Sequence, residues 1–101
     1  MDMRHLLEQA KNLERALSEI DKRLETFESE GQSADGGIVV RVNGVGEVVS
    51  LSIAPEIVEE EDHETLEALI LEALGAATAA ARKFREEQRA ALTGGLKLPD
   101  F

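Results

Sequence analysis

The stretch Gly36–Pro55 reads GGIVVRVNGVGEVVSLSIAP and decides how the rest of the chain folds. Two runs rich in β-branched residues flank Asn43-Gly44, a pair that supplies the positive φ values of a tight hairpin turn. Alternation puts Ile38, Val40 and Val42 on one face, with Val49, Leu51 and Ile53 opposite them. Val39, Arg41, Val48, Ser50 and Ser52 take the other face. Glu47 belongs near solvent at the turn, and Gly46 permits a bulge there. A lone hairpin is marginal in water, so its apolar face needs a cover.

That cover lies on both sides in sequence. Met3, Leu6, Ala10, Leu13, Leu17, Ile20, Leu24 and Phe27 recur at steps of three and four, the apolar seam of a coiled coil. The spacing predicts a helix over 3–25, packed on its own sheet or, at its far end, on a partner helix. Arg4, Lys11, Arg15 and Lys22 fall on the opposite face, where a solvated surface with local ion pairs is the plain structural reading. Residues 26–33 are polar and read as an edge strand on which glutamates discourage stray pairing. With strands over 37–43 and 46–53, the sheet is a three-stranded antiparallel meander. Pro55 ends the third strand, and residues 56–61 read as an acidic linker.

Asp62 reads as the N-cap of a second helix over 63–91, with Glu64 and Glu67 near its positive end. Leu66, Ile70, Ala73, Ala77, Ala80 and Phe84 form its apolar face. Between residues 75 and 81 every side chain is small, so another backbone can approach closely. Such a helix is roughly 43 Å long at 1.5 Å per residue, against a radius of gyration of about 13 Å for a compact chain of this size. It must protrude, and a protruding, half-apolar helix implies a partner; a second copy is the commonest kind. Arg82, Lys83, Arg85 and Arg89 gather near its end, where cations also complement the helix dipole. Residues 92–101 read as a glycine-containing, mobile tail.

The 101 residues suffice for one domain, 43% of them are hydrophobic, and no apolar run is long enough to span a bilayer. There is no cysteine, hence no disulfide or thiolate site. The default compartment is the cytoplasm. The formal net charge of -10 argues against a nucleic-acid partner when taken alone. The charge is sectored, however: eight acids and no Lys or Arg lie in 56–72, while nine of the eleven basic residues lie in 4–23 and 82–89. His5 and His63 stand alone, no serine sits in a nucleophile elbow, and the glycines fit no phosphate-cradling motif. The residues offer no catalytic site, no metal site and no cofactor, and the lack of Tyr and Trp leaves little for base stacking.

Several local marks occur in a recognisable order: Glu30-Gly31, Val42-Asn43-Gly44, Ile53-Ala54-Pro55, the run DHETLEALI over 62–70, and LTGGL over 92–96. Together they resemble the YbaB/EbfC family of bacterial nucleoid-associated proteins across nearly the whole chain. Ala54 departs from the aspartate often found before that proline. The resemblance implies an α+β fold of order α-β-β-β-α and a tweezer-shaped homodimer whose central sheets join two copies while helical arms project. It also implies double-stranded DNA as partner, held mainly by its phosphate backbone, a place in the nucleoid, and an effect on nucleoid organisation and gene expression. Under that implication Arg4, Lys11, Arg15 and Lys22 of the first helix and Arg82, Lys83, Arg85 and Arg89 of the second become the expected DNA contacts, chosen by charge placement. The alternative is an acidic dimeric module that recruits another protein and binds no DNA.

Overall fold

A computed structural model describes residues 2–96, with side chains as far as Leu92. The order is α1 (Met3–Thr26), β1 (Glu28–Ser33), a single 3-10 turn at Ala34–Gly36, β2 (Ile38–Asn43), β3 (Val48–Ile53), α2 (Pro55–Glu60) and α3 (His63–Leu96). The sheet is antiparallel in the order β1-β2-β3. The described molecule measures 69 × 24 × 17 Å with a radius of gyration of 19.6 Å, well beyond the ~13 Å of a compact chain of this length. The excess comes from helices that outrun the sheet.

The core is one layer of helix on one layer of sheet. Ile38, Val40 and Val42 of β2 are fully buried beneath Ala73, Ala77 and Ala81 of α3. β1 packs closer still. Its inward residues are Ser29, Gly31 and Ser33, all buried. A Cβ on Gly31 would collide with the Ala73 carbonyl oxygen and lie 2.5 Å from the Ala77 nitrogen. The Ser29 hydroxyl donates to the Ala77 carbonyl at 2.7 Å, and the Ser33 hydroxyl to the Leu69 carbonyl at 2.6 Å. The backbone that the small residues of α3 admit is therefore the chain's own β1. On the outer face, Glu30 meets its cross-strand partner Arg41 at 3.4 Å. Gln32 donates to the same carboxylate at 2.7 Å. Gln32 first, and then Arg41, hold the Glu30 carboxyl below its usual value.

The hairpin differs from its expected geometry in two ways. Asn43-Gly44 is not a two-residue turn of positive φ: the positive φ falls on Gly46, at +100°. The Asn43 side chain instead accepts from the backbone N–H groups of Val45 and Glu47, both at 3.0 Å, which closes a longer loop. Gly44 is needed for proximity. A Cβ there would lie 2.6 Å from the Leu24 carbonyl oxygen. The Gly44 N–H donates to that carbonyl at 2.7 Å and so satisfies one of the orphan acceptors at the end of α1. The second difference is register. Ile53 pairs with Ile38 and Leu51 with Val40, but Val42 pairs with Val48, so the bulge takes up Val49 and not Gly46.

The acidic linker expected over 56–61 is α2, with Pro55 in its first turn, where a missing N–H costs nothing. Asp62 caps α3: the Thr65 N–H donates to its carboxylate at 2.9 Å. Hydrogen bonding by Thr65 holds the Asp62 carboxyl below its usual value. Gly75 leaves α3 unbroken, and the helix runs through Gly94 and Gly95 to Leu96, past the stop expected near residue 91. The expectation of a mobile tail otherwise falls on residues 97–101, outside the described residues.

Candidate functional site

α1 carries two stripes. At 3.6 residues per turn, Arg4, Lys11, Arg15 and Lys22 share one side of the helix, and all four are exposed. The other side is apolar and only half used. Ala16, Ile20, Leu24 and Phe27 are half-buried against the rest of the molecule, whereas Met3 (68% exposed), Leu6, Leu7 and Leu13 are open. Burial of the C-terminal half fixes the roll of the helix about its axis, and thereby turns the basic stripe outward.

Three contacts tie α1 to α3 and the hairpin. The rings of Phe27 and Phe84 stack at 3.8 Å with an angle of 4°. Arg23 donates to the Gln88 side-chain oxygen at 3.3 Å. The Gly44 N–H reaches the last turn of α1, as described above. A groove lined by Leu17, Ile20, Asp21, Arg85 and Arg89 runs along the seam between the two helices.

The four cations expected on α3 do not form one surface. Arg82, Arg85 and Arg89, spaced by three and four, share a flank of the helix, and Lys83 projects elsewhere. Arg82, Lys83 and Arg89 are exposed. Arg85 is half-buried and donates to the Gly44 carbonyl at 3.0 Å, so its first task is to hold the hairpin loop against α3. Charge placement alone does not separate such an arginine from its neighbours, because the bond spans forty-one positions of sequence. Arg41, outside both basic windows, is engaged with Glu30. Among the described residues no three His, Cys, Asp or Glu side chains stand together as metal ligands would, and no helix is long and apolar enough to cross a membrane. Among the described residues the arrangement offers exposed cationic helix faces.

Comparison with known proteins is consistent across the chain. The sequence model of the YbaB/EbfC DNA-binding family matches residues 1–96. A nucleoid-associated protein of Chloroflexus aurantiacus is 37% identical over 97 residues, covering 96% of this chain and 97% of its own. One from Anaeromyxobacter dehalogenans is 36% identical over 99 residues, covering 98% and 96%. One from Roseiflexus castenholzii is 37% identical over 101 residues and covers both chains completely. The crystal structure of an uncharacterized Helicobacter pylori protein, HP0035, superposes with a TM-score of 0.74 over 97% of this chain and 99% of the other, at 24% identity.

Proposed function

The chain belongs to the YbaB/EbfC DNA-binding family, and from that premise we propose that it is a nucleoid-associated protein that grips duplex DNA as a homodimer, mainly through the phosphate backbone. The family is a DNA-binding one and not a family of enzymes. The observation that carries the reading is the outward stripe of α1: Arg4, Lys11, Arg15 and Lys22, exposed along roughly 27 Å of helix. Arg82, Lys83 and Arg89 add charge beside the Lys22 end of that stripe, where Arg23 of α1 bonds to Gln88 of α3. Arg85 contributes with whichever N–H groups its bond to Gly44 leaves over. These side chains are long and flexible and suit phosphates better than base edges. The acids of 56–72 lie at the opposite end of α3 from these arginines, so local attraction survives the net charge of -10.

Dimerisation is supported by β3. Among the described residues it pairs with β2 alone, which leaves its outer edge open. Residues 48–53 hold no charge, and Val48, Val49 and Leu51 are each about half exposed or more. A lone protein would blunt such an edge with charge or proline; an apolar, unblunted edge suits a second copy. Pairing doubles the number of basic arms. The site of action is then the nucleoid, within the cytoplasm.

A salt series of duplex-DNA binding tests the reading. Each phosphate contact contributes about -0.9 to the slope of log K against log salt. Reversing Arg15 and Lys22 to Glu should lower binding at least tenfold and flatten the slope by about 2 for each arm engaged. Binding and slope unchanged by that reversal would remove the α1 stripe from the interface.

A further inference from the structure

One residue joins the two helices that carry the cations. The Gly44 N–H donates to the Leu24 carbonyl in the last turn of α1 at 2.7 Å, and to the Phe27 carbonyl just past it at 3.1 Å. The Gly44 carbonyl accepts from Arg85 of α3 at 3.0 Å. The loop that presents Gly44 is braced from within. The Asn43 side chain accepts from the N–H groups of Val45 and Glu47 and donates to the Glu47 carboxylate at 2.9 Å. Beside the loop, Phe27 stacks on Phe84 and Arg23 donates to Gln88. Among the described residues, the hydrogen bonds from α1 and its C-cap to other elements all fall within residues 23–27. Hydrogen bonding thus anchors α1 at its last turn, and Gly44 is where that anchor bears on both helices.

We propose that Gly44 is a positioning residue of the DNA grip: it sets the angle of α1, and with it the spacing between the α1 stripe and the arginines of α3. The proposal rests on the DNA-binding reading above. Lack of space carries it. A Cβ on Gly44 would lie 2.6 Å from the Leu24 carbonyl oxygen, 2.8 Å from its Cα and 3.1 Å from its carbonyl carbon, all of them helix backbone. The φ of Gly44 is not positive, so a side chain is excluded by the nearness of α1 and not by the conformation of the loop. Relief requires loop and helix to part by about 1 Å, which across one turn of 5.4 Å tilts α1 by roughly 10°. Arg4 stands about 30 Å along the helix from Leu24 and would swing by about 5 Å. A charge-assisted hydrogen bond to phosphate spans under about 3 Å. The tilted stripe and the α3 cations then no longer match one duplex together, and joint engagement is lost when the spacing of linked contacts is wrong. Gly44 is uncharged, so replacing it leaves every cation of both helices in place.

Gly44→Ala in the full chain tests the proposal. Residual dipolar couplings of the DNA-free protein read the angle between α1 and the sheet, and should show α1 turned by about 10° while β1 and β2 keep their mutual orientation. Duplex binding at fixed salt should fall about tenfold. In a chain that already carries Arg15→Glu and Lys22→Glu, Gly44→Ala should cost less than about twofold further, because the arm it aims is already disarmed. A change that acted through stability alone would add its loss in full. Arg85→Met keeps a long side chain, adds no volume to the loop and frees the loop from α3. It should shrink the couplings of α1 relative to those of the sheet, and it keeps the angle measurable where the alanine chain fails to fold. An α1 unmoved by both variants, binding unchanged although α1 has turned, or losses that simply add would each overturn the proposal alone. A parent chain that bound no duplex would overturn the DNA-binding reading and the proposal with it, and that outcome is visible before any Gly44 variant is made.

Discussion

The two edge strands of this sheet invert the usual relation between sequence and burial. β1 reads ESEGQS and has Ser29, Gly31 and Ser33 buried beneath α3. β3 reads VVSLSI and is exposed along nearly its whole length. Leu51 is the cross-strand partner of Val40 and points to the same side of the sheet, yet Val40 is 2% exposed and Leu51 49%. The difference lies in the position of one helix. α3 sits over β1 and β2, and so close to β1 that only hydrogen or a hydroxyl fits between the backbones. Small polar residues are the interior solution there, since each serine hydroxyl satisfies itself on a helix carbonyl. β3 has large apolar residues and no helix of its own above it, which makes it a strand awaiting cover.

Gly31→Ala tests the first half of that contrast and carries the largest expected effect. The added methyl would meet helix backbone and no side chain that could swing aside. Helix and strand must separate, opening the core at Val40 and Val42. A loss of about 3 kcal/mol or more is expected by urea unfolding. An alanine accepted at little cost would mean that the β1–α3 junction is slack, and the inversion would lose its physical basis.

Leu51→Lys tests the other half. In the lone chain Leu51 is a surface residue, so the unfolding midpoint at high dilution should move by only about 0.5 kcal/mol. In a dimer closed over β3 the same change removes about 2 kcal/mol of apolar burial from each copy and inserts a charge. Sedimentation equilibrium should then show the association weakened at least tenfold. A variant that assembles like the parent would leave β3 an ordinary, if unusual, free edge.

Ser29→Ala and Ser33→Ala sharpen the account of β1. Each hydroxyl donates to a helix carbonyl from a buried position, Ser29 at 2.7 Å and Ser33 at 2.6 Å. Alanine keeps the small volume and loses the bond, so about 1 kcal/mol should be lost at each site. A cost near zero would assign β1's packing to size alone.

The same contrast explains how much of the fold was legible. The two long helices and the strands of the hairpin announce themselves because their signals are periodic and local: the heptad-like steps of α1, the alternation of Ile38, Val40 and Val42; the single turn and a half of α2 is too short to show a period and reads as a linker. The alternation of β1 is equally regular but written in Ser, Gly and Ser, and a hydrophobic reading sees only weak periodicity. Gly44 carries the sequence signal of a turn conformation and serves proximity, because close approach to Leu24 depends on a helix some twenty residues away. The candidate site divides likewise. Exposure of Arg4, Lys11, Arg15 and Lys22 follows from the α1 pattern, whereas the bond that draws Arg85 inward depends on where the hairpin loop lands. The small residues of α3 announced a close backbone without saying whose.

The smallest effect concerns the one ion pair on the outer face of β1, a device that β3 lacks. Hydrogen bonding from Gln32 and then the nearby Arg41 favour the charged form of Glu30, so its folded value lies below the ordinary one of 4.5. A lowered carboxyl binds protons more readily in the unfolded chain, so the folded state gains from the interaction above the unfolded value. That gain fades as pH falls through the lower folded value. Glu30→Gln removes the titration, keeps the side chain's length and leaves Gln32 a partner. Its deficit against the parent should therefore be constant from neutral pH down to about 5 and shrink below that, as the parent protonates. Both groups are open to solvent and screened by salt, so the deficit should be slight and slighter still at high ionic strength. Urea midpoints of the two chains, taken at several pH values in low and high salt, read it directly. A gap that widened on acidification would reverse the sign of the linkage, and would mean that Glu30 is held on β1 by something other than its charge.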